Sequence, residues 1–233
     1  MASTDPASQA PKASEPPEAP EVPQEGSAAP WSQRRQLLLA GAVLAEPVVW
    51  RAVQAQGPLT LTPAQTEGPF YPVKLPADSD ADLLAQGDRR YARGEAAWLD
   101  GQLLDAQGRP VRGGTVEIWQ CDADGHYHHP GDGGRADPLF QGFGRAAVDA
   151  EGRFRFRTMK PVAYSGRTPH IHAKVKLGTR ELLTTQLYVE GDAGNARDGI
   201  WRRLSAEQRA AVTLPYRSGA DGWQAQCRLV VQA

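Results

Sequence analysis

Asp149-Ala-Glu-Gly152 is a turn signal, and the Arg153-Phe-Arg-Phe-Arg157 that follows it alternates charge and ring without a break. A side-chain period of two puts Phe154 and Phe156 on one face of a strand and the three arginines on the other, so one face is built for a core and one for water. Working outward, the same grammar recurs. Ala97-Trp-Leu-Asp-Gly-Gln-Leu-Leu-Asp105 and Gly114-Thr-Val-Glu-Ile-Trp119 are rich in β-branched and aromatic residues around the turn Asp105-Ala-Gln-Gly108-Arg-Pro110, and read as a hairpin. Further strands are expected at Ile171 to Leu177, Leu182 to Val189 and Trp223 to Val231. Helical signals are few: Ser205 with Gln208 forms a capping box ahead of a short helix ending at Val212. The fold expected is all-β, an antiparallel β-sandwich with long loops and one or two short helices.

The chain has 233 residues, 40% of them hydrophobic, enough for a full core. Its formal net charge is -1, from 26 basic and 27 acidic residues, which supplies no electrostatic footprint for nucleic acid and no polybasic face for a membrane. A small neutral or anionic substrate fits better. The two cysteines lack zinc-site spacing. Cys227 belongs to the alternating run Trp223, Ala225, Cys227, Leu229, Val231 and reads as core filler; Cys121 is unplaced, and a disulfide between them is open.

Residues 1–30 hold seven prolines, seven alanines and five acidic residues, and read as a disordered leader. Residues 31–55 contain Arg34-Arg35 ahead of the short apolar run Leu37 to Leu44, with Val53-Gln-Ala55 as a small-residue cleavage candidate; this resembles a twin-arginine export signal, with a cytoplasmic chain as the alternative. The run is too short for a stable membrane span. Residues 56–96 are expected to form an arm on the core, and residues 97–233 the sandwich itself.

Chemistry gathers in two places. Tyr164-Ser-Gly-Arg167-Thr-Pro-His170-Ile-His172 puts two imidazoles on one strand face, with Ile171 turned away. Neutral imidazoles suit Zn, Fe, Cu or Ni, and a phenolate would favour an oxidised ion such as Fe(III). Against this stands the ordinary exposed or hydrogen-bonded histidine pair. The second cluster, Val116-Glu-Ile-Trp119-Gln-Cys-Asp-Ala-Asp-Gly125-His-Tyr127-His-His129, runs a strand into a loop that delivers a tyrosine among three histidines, His126, His128 and His129, of the kind usually solvated.

In order and spacing, the segments Asp105 to Val111, Val116 to Gln120, Gly125 to Pro130, Asp149 to Phe154, Phe156 to Pro161, His170 to His172 and Thr185 to Asp192 resemble the intradiol ring-cleavage dioxygenases, particularly the protocatechuate 3,4-dioxygenase type. Thr62 to Tyr71 is similar to that family's N-terminal arm. The resemblance implies Fe(III) held by Tyr127, Tyr164, His170 and His172, with Tyr164 the tyrosine that departs when substrate binds. It implies that Arg167 and Gln186 line the pocket, and that the substrates are O2 and a catechol-type ring, opened to a cis,cis-muconate-type diacid. Arg167 would stabilise developing negative charge. Self-assembly into a homo-oligomer is compatible with this reading. One departure stands out: Ser165 follows Tyr164 where protocatechuate enzymes usually carry tryptophan, and the segment before His170 is short. Competing readings are a non-catalytic transthyretin-like binding sandwich, and a zinc hydrolase, for which no carboxylate base stands beside the histidines.

Overall fold

In the computed structural model, residues 59–233 are described. The expectations for the leader, the export signal and its cleavage point fall on residues 1–58, outside that range. The strands are β1 (Ala85–Gln86), β2 (Arg89–Arg90), β3 (Ala96–Asp105), β4 (Gly114–Trp119), β5 (Phe143–Ala147), β6 (Arg153–Met159), β7 (His170–Leu177), β8 (Arg180–Val189), β9 (Thr213–Leu214), β10 (Arg217–Gly219) and β11 (Gly222–Val231). The α-helix α1 (Ala206–Val212) carries the expected box, with the Ser205 side chain accepting from Gln208 N and the Gln208 side chain from the Ser205 backbone. Among the described residues no helix is long and apolar enough to cross a membrane.

Two sheets form the sandwich, ordered β10-β11-β3-β6 and β5-β4-β7-β8-β9, beside a small β1-β2 ribbon. Alternation does what the sequence predicts. Leu99, Leu103, Phe154 and Phe156 from one sheet meet Val116, Ile118, Ile171, Ala173 and Val175 from the other in one buried core. Gly101 lies under the Phe154 ring; a methyl group there would come within 1.8 Å of Phe154 Cζ.

Two expectations need correction. β3 and β4 are not a hairpin: β3 pairs with β6 and β11, whereas β4 pairs with β5 and β7 in the opposite sheet. Both edges of β3 are already taken, so the chain leaving the Asp105–Pro110 turn must cross to the other layer. It does so at Gly113 and Gly114, where a methyl group on Gly114 would come within 2.7 Å of Leu103 Cδ2. The sandwich is also not wholly antiparallel, because β11 lies parallel to β3 and β9 parallel to β8. The open question of a disulfide closes too: Cys121 and Cys227 are both free and buried.

Because Ile171, Ala173 and Val175 face the core, His170, His172, Lys174 and Lys176 line the outer face of the five-stranded sheet. Segment 59–72 covers that face. Gln65 N donates to Thr184 O at 2.8 Å and the Tyr71 hydroxyl to Glu117 Oε2 at 2.8 Å, while Thr62 N ties the start of the segment to the four-stranded sheet at Val230 O, 3.0 Å away. Glu117 is fully buried, and Arg145 and Lys176 also bond to it. Lys174 pairs with Glu67 and Glu181 and sits 4.0 Å above the Tyr71 ring. A charged clasp therefore fixes the arm over the sheet face that carries the two histidines.

Candidate metal centre

Strand register assembles the centre from β7 outward. His172 stands directly opposite Trp119 of β4 and Gln186 of β8, and His170 opposite Tyr188. The two imidazoles are about 1% exposed, and their Nε2 atoms face each other at 3.2 Å. His170 Nδ1–H donates to Thr168 O at 2.7 Å, which leaves its Nε2 as a bare lone pair. Two nitrogens ligating one ion at about 2.1 Å each sit about 3 Å apart, so the facing pair has the spacing of cis ligands.

Tyr127 arrives on a loop built by carboxylates. Asp122 Oδ1 accepts from Asp124 N and His126 N, both at 2.9 Å, and Asp132 Oδ2 accepts from Tyr127 N at 2.8 Å. Gly125, at φ +82°, lets this loop touch the segment carrying the second tyrosine: a methyl group there would come within 3.2 Å of Tyr164 Cβ. The Tyr127 ring lies 5.0 Å from Tyr164 and 6.1 Å from His172, and Tyr164 lies 5.5 Å from His170. The four expected side chains thus come together. The three loop histidines stand apart from that group: His126 Nδ1 lies near Asp132 Oδ2, at 3.3 Å, without a hydrogen bond, His128 Nε2 is 2.5 Å from Phe140 O, and His129 Nδ1 accepts from Gly131 N.

Protonation states leave the imidazoles free to donate. Burial, helped by Arg167, pushes His170 down to about 4, and His172 well below its usual range, so both imidazoles are neutral. The Tyr127 hydroxyl and His172 Nδ1 are buried without a hydrogen-bond partner, a costly arrangement in a closed core. Burial also pushes the Tyr127 phenol well above 10, so its phenolate would require a strong local positive charge. Among the described residues no group of three His, Cys, Asp or Glu side chains could hold an ion, so a centre here depends on the phenols. That composition disfavours the zinc-hydrolase reading.

Arg167 and Gln186, expected beside the centre, are bonded to each other: Arg167 Nη2 donates to Gln186 Oε1 at 2.6 Å. Gln186 Nε2 in turn donates to Thr66 O at 2.9 Å. The shortened segment is a tight turn. Arg167 N donates to Tyr164 O at 2.7 Å, with Ser165 at φ 41° and Gly166 at φ 76°, the doubly positive signature of a type I′ turn. Tyr164 and Arg167 thereby become bridge partners on one face.

Sequence reasoning missed three contributors. Asp198, 1% exposed, binds Arg167 Nε at 2.7 Å; a lone Asp before Gly199 carries no pattern that would reveal it. Trp119 stacks on His172, a role implicit in their register, which sequence alone did not supply. Phe70 stacks on Tyr127 at 4.7 Å and meets Tyr164 edge-on at 5.9 Å, roofing both phenols.

Fold and donor set together define a β-sandwich with a mixed phenol and imidazole centre on one outer sheet face. The chain belongs to the intradiol dioxygenase family: the family described as Dioxygenase matches residues 66–222. It is 43% identical over 121 residues to the beta chain of protocatechuate 3,4-dioxygenase from Burkholderia cepacia, covering 47% of this chain and 51% of that one. With 6-chlorohydroxyquinol 1,2-dioxygenase from Cupriavidus pinatubonensis it shares 31% identity over 187 residues, covering 72% and 65%. The chain therefore spans about half to two thirds of the length of these curated relatives. Among solved structures, the dioxygenase domain of a dioxygenase and carbohydrate-binding protein fusion from Streptomyces sp. SirexAA-E is 28% identical with a TM-score of 0.59, covering 73% of this chain and 97% of that one.

Proposed function

We propose that this protein is a non-haem Fe(III) dioxygenase that cleaves a catechol-type ring with O2 between its two hydroxyl-bearing carbons, giving a cis,cis-muconate-type diacid. The observation that carries the reading is the convergence of Tyr127, Tyr164, His170 and His172 on one sheet face, with the two imidazole Nε2 atoms facing each other at 3.2 Å. Those four residues would hold the ion. Bound there, Fe(III) supplies Lewis acidity toward the adjacent oxygens of a catechol.

The chain's own groups divide the remaining work. Tyr164 is less buried than Tyr127, so substrate reaches it more readily, and its oxygen, once ionised, would accept a substrate hydroxyl proton. Arg167 presents a fixed cation from the same turn, its side chain 21% exposed, where it can stabilise negative charge developing on the ring. Phe70 and Trp119 exclude water from the far side of Tyr127 and His172. Relatives named for protocatechuate, hydroxyquinol and catechol support an aromatic substrate with two adjacent hydroxyls. A non-catalytic transthyretin-like module has no use for this donor set. We extend the proposal to export through the Arg34-Arg35 segment, supported by the sequence pattern and tested by whether Arg34→Lys with Arg35→Lys retains the chain inside the cell.

Protein purified from an iron-replete host should be burgundy, with a broad tyrosinate-to-Fe(III) band that shifts when catechol is added without oxygen. A colourless preparation carrying stoichiometric zinc overturns the reading. Tyr127→Phe should weaken the band and His128→Ala should leave it intact.

A further inference from the structure

We infer that Asp198 is a positioning residue whose single carboxylate sets both the Arg167 guanidinium and the ring of His170. Asp198 Oδ1 accepts from Ile200 N at 2.9 Å and Trp201 N at 3.0 Å. Its Oδ2 accepts from Arg167 Nε at 2.7 Å and Thr168 N at 3.1 Å. Four donors fill the lone pairs of one carboxylate, which is fully buried and cannot turn.

Two consequences leave this residue in different directions. Through Arg167 Nε it holds one edge of the guanidinium, while Gln186 Oε1 holds Nη2, so the cation is fixed at two corners. Through Thr168 N it anchors the N-terminal side of the residue whose own carbonyl, in the next peptide, accepts His170 Nδ1–H, and that bond keeps the His170 Nε2 lone pair aimed toward His172. Thr168 is anchored from its side chain as well, by Oγ1–H to Asn195 Oδ1 at 2.7 Å. Asparagine at 198 would keep the shape but not the pattern. Its amide would point N–H either at Arg167 Nε–H and Thr168 N–H or at the Ile200 and Trp201 amides, opposing donor to donor on one side.

The Arg167 half rests on the catechol dioxygenase reading; the His170 half does not, and the experiment separates them. In the metal-free full-length chain, long-range proton–nitrogen spectra should show His170 as the Nδ1–H tautomer with a slowly exchanging ring proton. Asp198→Asn should speed that exchange by at least about 10-fold, whereas Arg167→Gln should leave it unchanged. A wild-type spectrum in Asp198→Asn overturns the His170 half. In turnover, Asp198→Asn should lower kcat on the order of 10-fold to 100-fold with KM nearly constant, and the loss should be markedly smaller on the Arg167→Gln background, where only the share carried through His170 is left. Additive losses overturn the Arg167 half. If Asp198→Asn does not fold, Asp198→Glu, which keeps the charge but displaces both oxygens by a methylene, is read by the same two measurements with the same deciding results. An inactive wild type defeats the proposed function and leaves the spectroscopic arm to decide the His170 half.

Discussion

Trp119 lies flat on His172, ring centroids 4.8 Å apart and planes within 10°, as direct cross-strand partners of β4 and β7. His172 Nδ1 has no hydrogen-bond partner, so the usual device for orienting a ligand histidine is missing. The stack takes its place, helped by Gly68, where a methyl group would come within 3.4 Å of His172 Cε1. Trp119→Leu should therefore reduce iron affinity by about 10-fold, measured by chelator competition, and cost about 2–3 kcal/mol in urea unfolding. Trp119→Phe should keep most of the affinity. Wild-type affinity in the leucine variant would remove the stack from any role in orienting His172.

Gly101 and Phe154 make a purely structural test of the sandwich. They are paired across β3 and β6, with the ring lying where a Gly101 side chain would be. Gly101→Ala should destabilise the chain by about 3 kcal/mol. On a Phe154→Ala background the same change should cost less than about 1 kcal/mol, because the space is already empty. Equal costs on both backgrounds would mean that the ring does not occupy that space in solution.

These two contacts also show where sequence reading succeeds and stops. Phe154 and Phe156 announced a buried face, and the same period placed His170 and His172 on the opposite side of their strand from Ile171, because alternation is local. Pairing is not local. Nothing in Ala97–Asp105 says that both its edges are taken by strands far along the chain, which is why a hairpin with Gly114–Trp119 was the natural expectation. The same limit hid Asp198 and the Trp119 stack, whose roles exist only once distant segments are packed together. The four donors and Arg167 were legible because one nine-residue segment carries all but Tyr127.

Glu117 ties acid stability to the arm. Burial works against its charge, but hydrogen bonds from Lys176, Arg145 and Tyr71 outweigh it and hold the carboxyl below its ordinary range. The unfolded chain then binds the proton first as pH falls, so this stabilisation is complete above about 4.3, the ordinary glutamate value, and disappears as pH drops through the lower folded value. Thermal unfolding followed from pH 7 to 3 should show that decline, and Glu117→Gln should flatten its own share of it. At pH 7 the same variant should cost about 2–3 kcal/mol, less than a fully buried broken pair because Arg145 is 39% exposed. An unchanged acid limb in Glu117→Gln would assign the decline to other carboxylates.

The turn before His170 yields a prediction that separates stability from chemistry. Ser165 holds φ 41° without being glycine, a conformation that costs a side chain about 1 kcal/mol and that asparagine tolerates best. Type I′ turns favour Asn-Gly, and Gly166 already fills the second position at φ 76° with open space around it. Ser165→Asn should therefore stabilise the chain by about 0.5 kcal/mol and leave the Tyr164–Arg167 bridge in place, so the visible band and kcat should stay within about 2-fold of wild type. Ser165→Val, β-branched and forced into the same φ, should cost about 1–2 kcal/mol. It should also loosen the pairing that aims Arg167, lowering kcat more than it raises KM. If the valine variant lost stability alone, Arg167 would owe its position to Asp198 and Gln186 without help from the turn.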